Sequence, residues 1–262
     1  MASTLQLSSV TLRVPHLARS VDFYTRQLGF VRAREQPGSV ELATAPDVPS
    51  ILRLLETPSA AKAPRDAAGL FHCALLLPGR AALGSWLRFA ADRGVRFDGF
   101  SDHGVSEALY LSDPDGNGLE FYADRPRESW PFANGELAMS TLPLDVHSLL
   151  AEAAPVSTVP LAGARWGHLH LRVTDLDRSA AFYHEALGVD VTQRTYPGAR
   201  FLAADGYHHH LGLNTWGQPR QPQPAGALGL AEATWARDGE RMSHEVRDPD
   251  GLVIRVGPPG AA

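Results

Sequence analysis

The chain has 262 residues, of which 44% are hydrophobic and 20% charged, and its formal net charge at pH 7 is −5. This is ordinary globular composition, and the length suits two domains of moderate size or one large one. The negative charge gives no general attraction to nucleic acid or to acidic membranes. No apolar run approaches the roughly 20 residues that a membrane-spanning helix needs. We therefore expect neither a nucleic-acid nor a membrane partner.

The first residues and the cysteine content indicate the compartment. Residues 1–10, MASTLQLSSV, contain neither the basic nor the apolar region of a secretory signal. The single cysteine, Cys73, has no partner for an internal disulfide, which is typical of a reducing environment. We expect a cytoplasmic protein in which Cys73 is a small core residue.

An internal repeat organises the chain. Residues 10–30 (VTLRVPHLARSVDFYTRQLGF) and residues 169–189 (LHLRVTDLDRSAAFYHEALGV) share LRV, RS, FY and LG at the same spacing. Each copy predicts a short strand, a turn and a helix, because the apolar positions after the turn recur at helical spacing. Gly29 and Gly188 stand where C-terminal cap glycines belong.

A second repeated motif, DPDG, follows each of these segments. It occurs within residues 111–122 (LSDPDGNGLEFY) and 246–256 (VRDPDGLVIRV), where it predicts a tight turn between two strands. The chain thus divides into four units of one strand, one helix and three strands. The units cover about 8–58, 69–125, 166–216 and 226–258, and unit four has too few residues for its helix.

A long segment separates units two and three. Residues 127–164 contain a helical stretch, LDVHSLLAEA, between Pro-rich connections, and we expect them to form a linker. This predicts a first domain at 8–126, which holds units one and two, and a second at 165–258, which holds units three and four.

These motifs resemble the vicinal oxygen chelate superfamily, which includes glyoxalase I, bleomycin- and fosfomycin-resistance proteins and extradiol ring-cleaving dioxygenases. The resemblance covers nearly the whole chain outside the linker. Residues 102–126 (DHGVSEALYLSDPDGNGLEFYADRP), Trp130 and residues 206–216 (GYHHHLGLNTW) are similar to the catechol 2,3-dioxygenase branch. The resemblance implies an α+β fold in which four βαβββ modules pair into two cups of curled mixed sheet, with helices outside.

The resemblance also implies where a metal would bind. In the superfamily, ligands come from the first strands of two paired units and from the last strand of one. The first-strand positions hold Ser9, His72, His168 and Glu232 in units one to four, and the last-strand positions of units two and four hold Glu120 and Arg255.

Only one pairing of units completes a ligand set. Units one and two together lack a second histidine, and units three and four would place Arg255 beside a cation, which it would repel. Units two and three together supply His72, Glu120 and His168. Two histidines and one carboxylate suit non-heme Fe(II). We therefore predict that units two and three pair around the metal, with Mn(II) as the alternative ion.

The run His208–His210 occurs in the same unit as His168. The resemblance implies that a histidine from the last strand of this unit serves as acid and base, a role suited to a group that titrates near neutrality. Alternation along a strand places His208 and His210 on one face and His209 on the other, without showing which face lines the cup. The family pattern indicates His209.

Two residues of unit two match further family positions. Tyr110 lies ten residues before Glu120, and His103 lies a short way before Tyr110. The resemblance implies that both hydrogen-bond the substrate oxygens. The spacing between His103 and Tyr110 is slightly shorter than in the family. We expect His170, two residues after His168, to line the pocket or to support a ligand.

These residues predict an Fe(II)-dependent extradiol dioxygenase whose partners are a small aromatic diol and O2. Alternatives are a glyoxalase-like metal lyase or isomerase and a non-catalytic drug-binding protein. A glyoxalase is expected to need a second carboxylate in the last strand of unit three, which has none. The ring substituents of the substrate, the choice between iron and manganese and the presence of a homo-oligomer stay open.

Overall fold

The computed structural model describes residues 5–155 and 157–260 and consists of repeated strand–helix–strand units. Unit one comprises β1 (Leu5–Val14), α1 (Leu17–Asp22) with a π-helical turn (Phe23–Gln27), β2 (Val31–Gln36), β3 (Ser39–Ala43) and β4 (Leu52–Glu56). Unit two comprises β5 (Gly69–Leu76), α2 (Arg80–Ala91), β6 (Gly99–Asp102), β7 (Ser106–Ser112) and β8 (Gly118–Asp124).

The second half of the chain repeats this order. The linker contains a 3-10 turn (Arg127–Ser129), β9 (Phe132–Ala133), β10 (Glu136–Leu137), β11 (Leu142–Pro143) and α3 (Val146–Ala151). Unit three comprises β12 (Arg165–Arg172), α4 (Leu176–Leu187), β13 (Asp190–Gln193), β14 (Ala199–Ala203) and β15 (Leu211–Asn214). Unit four comprises β16 (Gly229–Arg237), β17 (His244–Arg247) and β18 (Val253–Gly257), and its described residues contain no helix.

Helix α4 shows how local sequence sets an element's limits. The side chain of Asp175 accepts a hydrogen bond from the backbone N–H of Arg178, which caps the first turn. The helix ends at Leu187 and is followed by the cap residue Gly188, whose φ of 71° is left-handed. Tyr183 and Leu187 lie one turn apart on the buried face. The predicted apolar face and C-terminal cap of this helix are therefore observed.

The strands form two large curled mixed sheets, each containing strands of two units. The seven-stranded sheet has the order β17-β18-β16-β1-β4-β3-β2, so it combines units four and one. The nine-stranded sheet has the order β11-β6-β7-β8-β5-β12-β15-β14-β13, so it combines units two and three and one strand of the linker. The predicted α+β fold of repeated modules arranged in two cups is confirmed.

The antiparallel contacts at the centres of both sheets join the two halves of the chain. Strand β5 pairs with β12, and β1 pairs with β16. Each sheet consequently depends on strands from both 8–126 and 165–258, the two segments expected to be separate domains. That division of the chain stays a prediction.

The shared FY and DPDG motifs contact each other across units. Tyr24 donates a hydrogen bond to the Asp113 carboxylate at 3.0 Å, and Tyr183 donates one to Asp248 at 2.9 Å. Both aspartates also accept backbone N–H groups of their own turns. These buried contacts connect unit one with unit two and unit three with unit four.

Large apolar side chains fill the space on the buried faces of both sheets. Trp86 stacks on Phe121 with 3.6 Å between ring centroids, and Trp166 and Trp235 are nearly fully buried. Cys73 is buried in the same core, as predicted. Within the described ranges, no helix is long and apolar enough to cross a membrane.

Candidate active site

Three adjacent strands of the nine-stranded sheet bring the predicted ligands together. Ala74 of β5 pairs with Glu120 of β8 on one side and with His168 of β12 on the other. His72 lies two residues before Ala74, so its side chain projects from the same face. The three ligand candidates therefore share one face of the sheet with the small, buried side chain of Ala74.

The three side chains converge at a buried point. The Nε2 atoms of His72 and His168 lie 3.0 Å and 3.2 Å from Oε2 of Glu120. One ligand atom from each residue lies within 4.8 Å of the other two. The contact from His72 lacks hydrogen-bond alignment, so its Nε2 is buried without a hydrogen-bond partner among the described residues. A buried nitrogen of this kind is costly unless something binds it.

The electrostatics of the cluster favour an ionised Glu120 beside a neutral His168. Burial opposes ionisation of Glu120, but the adjacent rings of His168 and His72 hold its pKa well below its usual range. Burial lowers the pKa of His168 to about 4, although Glu120 acts against this shift. A carboxylate and neutral imidazoles are the protonation states in which these groups bind a metal ion.

A cavity of about 360 Å³ opens beside the cluster. Its walls include the three ligand candidates and the four other residues that the sequence indicated, namely His103, Tyr110, His170 and His209. Seven further lining residues were not predicted as a set: Phe71, Ser101, Met139, Thr141, Tyr196, Phe201 and Trp216. They come from both units and the linker, and no local motif connects them.

The histidine run lies immediately before strand β15, which begins at Leu211. The expectation that the run belongs to the strand was wrong, because the chain leaves a turn with positive φ at Asp205 and Gly206 and becomes regular only at Leu211. Strict alternation of faces therefore does not apply to it.

All three histidines of the run are buried, and each has a different environment. His209 lines the cavity. His208 contacts Asp124, with 2.8 Å between Nε2 and Oδ1. His210 accepts the backbone N–H of Ala204 through Nδ1. Burial lowers the pKa of His210 to about 4 and that of His209 well below its usual value.

His103 and Tyr110 contact each other at the cavity wall. Nδ1 of His103 donates to the carbonyl of Ser140 at 2.6 Å, so its Nε2 accepts the Tyr110 hydroxyl at 2.7 Å. Burial, and then the charge of Glu120, raise the pKa of Tyr110 well above its usual value. Tyr110 is therefore a protonated phenol. Ser140, a linker residue with no signal in the sequence, orients the pair.

His170 lies on the same strand face as His168. Its Nε2 accepts the side-chain amide of Asn214 at 3.0 Å, and its ring contacts Phe71 and Trp216. Gly212 leaves space for this ring, because a Cβ there would lie 2.8 Å from it. These contacts hold His170 in the cavity wall.

The seven-stranded sheet has different residues at the corresponding positions. Nε of Arg255 lies 2.8 Å from Oε2 of Glu232, and its Nη2 lies 2.9 Å from Glu245. The guanidinium group of Arg255 therefore forms ion pairs with both carboxylates. In the part of the chain that the structure describes, His72, Glu120 and His168 form the one cluster with metal-ligand geometry.

Comparisons with known proteins agree with this architecture. Residues 6–121 and 165–235 match the model of the Glyoxalase/Bleomycin resistance protein/Dioxygenase superfamily. A curated protein of Bacillus subtilis (strain 168), named catechol-2,3-dioxygenase, is 44% identical over 225 residues, which cover 84% of this chain and 78% of that protein.

Solved structures share the fold at low sequence identity. A Bacillus subtilis subsp. subtilis str. 168 protein provisionally named a dioxygenase superposes with a TM-score of 0.65 and 12% identity, covering 98% of this chain and 86% of that one. Glyoxalase I from Zea mays superposes with a TM-score of 0.59 and 16% identity, covering 97% and 92% of the two chains. At these identities the structures show the fold alone.

The paired modules and the buried cluster of two histidines and one carboxylate define a protein of the vicinal oxygen chelate type. The chain belongs to the Glyoxalase/Bleomycin resistance protein/Dioxygenase superfamily. Its similarity to the Bacillus subtilis catechol-2,3-dioxygenase extends over most of both sequences.

Proposed function

We propose that the protein is an Fe(II)-dependent extradiol dioxygenase that opens catechol or a substituted catechol to a 2-hydroxymuconate semialdehyde-type product. The observation that carries this proposal is the buried cluster of His72, Glu120 and His168 beside a cavity lined by His209. The 44% identity to a protein named catechol-2,3-dioxygenase supports it.

The residues present fit a divalent metal ion. Two imidazole nitrogens and one carboxylate oxygen converge, and Nε2 of His72 is buried without a hydrogen bond among the described residues. Two histidines and one carboxylate are the ligand set of non-heme Fe(II) oxygenases, and Mn(II) accepts the same donors. When bound there, the metal would hold the diol and O2 together and pass electron density between them.

The surrounding side chains would bind the ring and move its proton. The cavity lies within the usual range of small-molecule sites, about 300–1,000 Å³. Phe71, Phe201 and Trp216 offer aromatic surface to an apolar ring. His209 would take a hydroxyl proton from the diol and later return it, while Tyr110 and His103 would hold the diol oxygens.

The composition of the cavity argues against the alternatives. Glu120 is the one carboxylate among the lining residues, whereas a glyoxalase-like lyase is expected to need a second. A drug-sequestering protein would not need a buried ligand cluster. Oxygen chemistry on a diol is therefore the function that the site supports best.

The test is ring cleavage by anaerobically purified protein. Protein reconstituted with ferrous iron, and in parallel with Mn(II), is mixed with catechol and O2, and the yellow ring-opened product is followed by absorbance. We expect turnover by the wild type and loss of both bound metal and turnover in His72→Ala and His168→Ala. Colour kept in His168→Ala would contradict the proposed role of His168 as a metal ligand.

The matched control is His210→Gln, which changes a buried histidine outside the cavity. We expect this variant to keep the metal and the activity of its folded fraction. Metal-loaded wild type that cleaves neither catechol nor methylcatechols would overturn the proposed function.

A further inference from the structure

We infer that His208 and Asp124 are positioning residues that fix the tautomer and the orientation of His209. This inference rests on the proposed function for its catalytic consequence, although the hydrogen-bond arrangement stands on the geometry alone. The histidine run supplies none of the three ligand candidates, and this arrangement would give it a role in the site. Through His208, the cavity would also be connected with Asp124 at the end of strand β8.

The three side chains form a continuous hydrogen-bonded chain. Nδ1 of His209 lies 2.7 Å from Nδ1 of His208, and Nε2 of His208 lies 2.8 Å from Oδ1 of Asp124. His208 is fully buried, so water does not compete for these two hydrogen bonds. Asp124, at the end of β8, is partly exposed.

The proton positions follow from the carboxylate. An ionised carboxylate only accepts hydrogen bonds, so Nε2 of His208 carries a proton and donates it to Asp124. Nδ1 of a neutral His208 is then an acceptor, and Nδ1 of His209 must be the donor across the 2.7 Å contact. His209 consequently keeps its second nitrogen, Nε2, unprotonated. The ring of His209 lines the cavity.

Neighbouring groups hold the chain in place. The hydroxyl of Tyr207 lies 3.1 Å from both oxygens of Asp124 and 2.8 Å from the hydroxyl of Tyr122. The ring of Trp130 packs edge-on against His208 with 5.2 Å between ring centroids. Gly167 makes room for this network, because a Cβ there would lie 1.8 Å from the hydroxyl of Tyr122.

The arrangement prepares His209 to act as a base. The contact with His208 uses Nδ1, so Nε2 is the nitrogen with which a ring in the cavity wall can accept the proton of a diol hydroxyl, and the ring then becomes an imidazolium. The positive charge formed is then countered by Asp124 through His208. A buried carboxylate plays the same part behind the histidine of serine hydrolases, where it sets the tautomer without taking the proton.

The first measurement compares two Asp→Asn substitutions on the iron-loaded enzyme. Asp124→Asn keeps the shape of the side chain but can present an amide donor to His208, so we expect kcat to fall at least about tenfold with KM and iron content little changed. Asp248→Asn is the matched control, because Asp248, like Asp124, accepts a tyrosine hydroxyl but lies outside the cavity. It should lower stability and leave kcat of the folded enzyme unchanged.

The second measurement reads the tautomer without turnover. Nitrogen-15 spectra of histidine-labelled, metal-free protein report which ring nitrogen carries the proton, and His209→Gln identifies the signals of His209. We expect the Nδ1–H tautomer in the wild type and a shift toward Nε2–H in Asp124→Asn. The control Asp248→Asn should leave the signals of His209 in place.

The outcomes separate this inference from the proposed function. An Nε2–H tautomer of His209 in the wild type, or equal kcat values for Asp124→Asn and the wild type, would overturn the inference. A wild type that cleaves no catechol but shows the Nδ1–H tautomer, lost in Asp124→Asn, would overturn the proposed reaction and leave the positioning role standing.

Discussion

The buried histidines around the cavity separate into a group that would bind metal and one that would move a proton. His209 lies outside the cluster of three ligand candidates but lines the same cavity. We therefore expect His209→Gln to retain bound iron and to lower kcat by about 10²–10⁴-fold, the usual contribution of a general acid–base group. Metal analysis together with steady-state kinetics on catechol checks both parts.

A loss of iron in His209→Gln would contradict this division, because it would make His209 a ligand. The comparison is His72→Ala, in which iron itself should be lost.

At the scale of single residues, the sequence indicated which side chains would lie together but not which residues would surround them. The positions of His72, His168 and Glu120 follow from the repeat and the family resemblance, and the structure brings these residues together. The partner of His208 could not be predicted, because Asp124 lies 84 positions away in another unit. Ser140 likewise reaches His103 only through the path of the linker.

Strand β5 carries His72 and lies between the strands that carry Glu120 and His168. Ala74 lies between Glu120 and His168 in the strand register and is fully buried. We expect Ala74→Leu to displace the neighbouring ligands and to weaken iron binding, because a well-packed face has no room for three further carbons. Overpacking of this kind costs about 1–3 kcal/mol in stability. Titration of the folded variant with Fe(II) measures the loss.

The matched control is Cys73→Val, one residue earlier on the opposite face of β5. Cys73 packs in the main apolar core, so a larger side chain there should lower stability without changing iron affinity. Equal iron affinity in Ala74→Leu and the wild type would show that the residues around position 74 can move to accommodate a larger side chain.

Hydrogen bonds between helices and turns explain why both halves of the chain contain the FY and DPDG motifs. FY supplies a tyrosine that reaches the first aspartate of DPDG in the next unit, at 3.0 Å for Tyr24 and 2.9 Å for Tyr183. The sequence indicated core aromatics and tight turns but not this contact, since nothing in either motif shows which unit will lie beside it. Tertiary packing of successive units determines the contact.

These tyrosine–aspartate contacts give a prediction about stability. Tyr24→Phe and Tyr183→Phe each leave a buried carboxylate with one hydrogen bond fewer, which should lower the free energy of unfolding by about 1–3 kcal/mol. Because the two contacts share no partner, their effects should add within about 0.5 kcal/mol in the double variant. Urea unfolding of the metal-free protein measures all three, and a double variant no less stable than either single variant would contradict the prediction.

For the whole molecule, the positions of the candidate ligands predicted which units pair in the sheets, whereas the order of the units along the chain suggested a different pairing. Consecutive units suggest two sequential domains, yet the incomplete ligand sets of units one and four predicted that unit two pairs with unit three. In the structure β5 pairs with β12, and β1 pairs with β16. The curvature of the sheets, the cavity walls and the path of the linker could not be predicted, because they arise from contacts between units.

The interleaved sheets lead to a prediction for the divided chain. A cut in the linker between Ala154 and Ser157 gives one fragment with units one and two and another with units three and four. Because both central strand pairs would then be intermolecular, we expect neither fragment alone to bind iron with the affinity of the intact chain. Mixing the fragments should restore iron binding, since β5 and β12 can then bring His72, Glu120 and His168 together.

Calorimetric titration with Fe(II), before and after mixing, measures the iron affinity of the fragments, with a His168→Ala second fragment as the control. High-affinity binding by the first fragment alone would mean that units one and two form a complete metal-binding domain, as the sequential division of the chain implies.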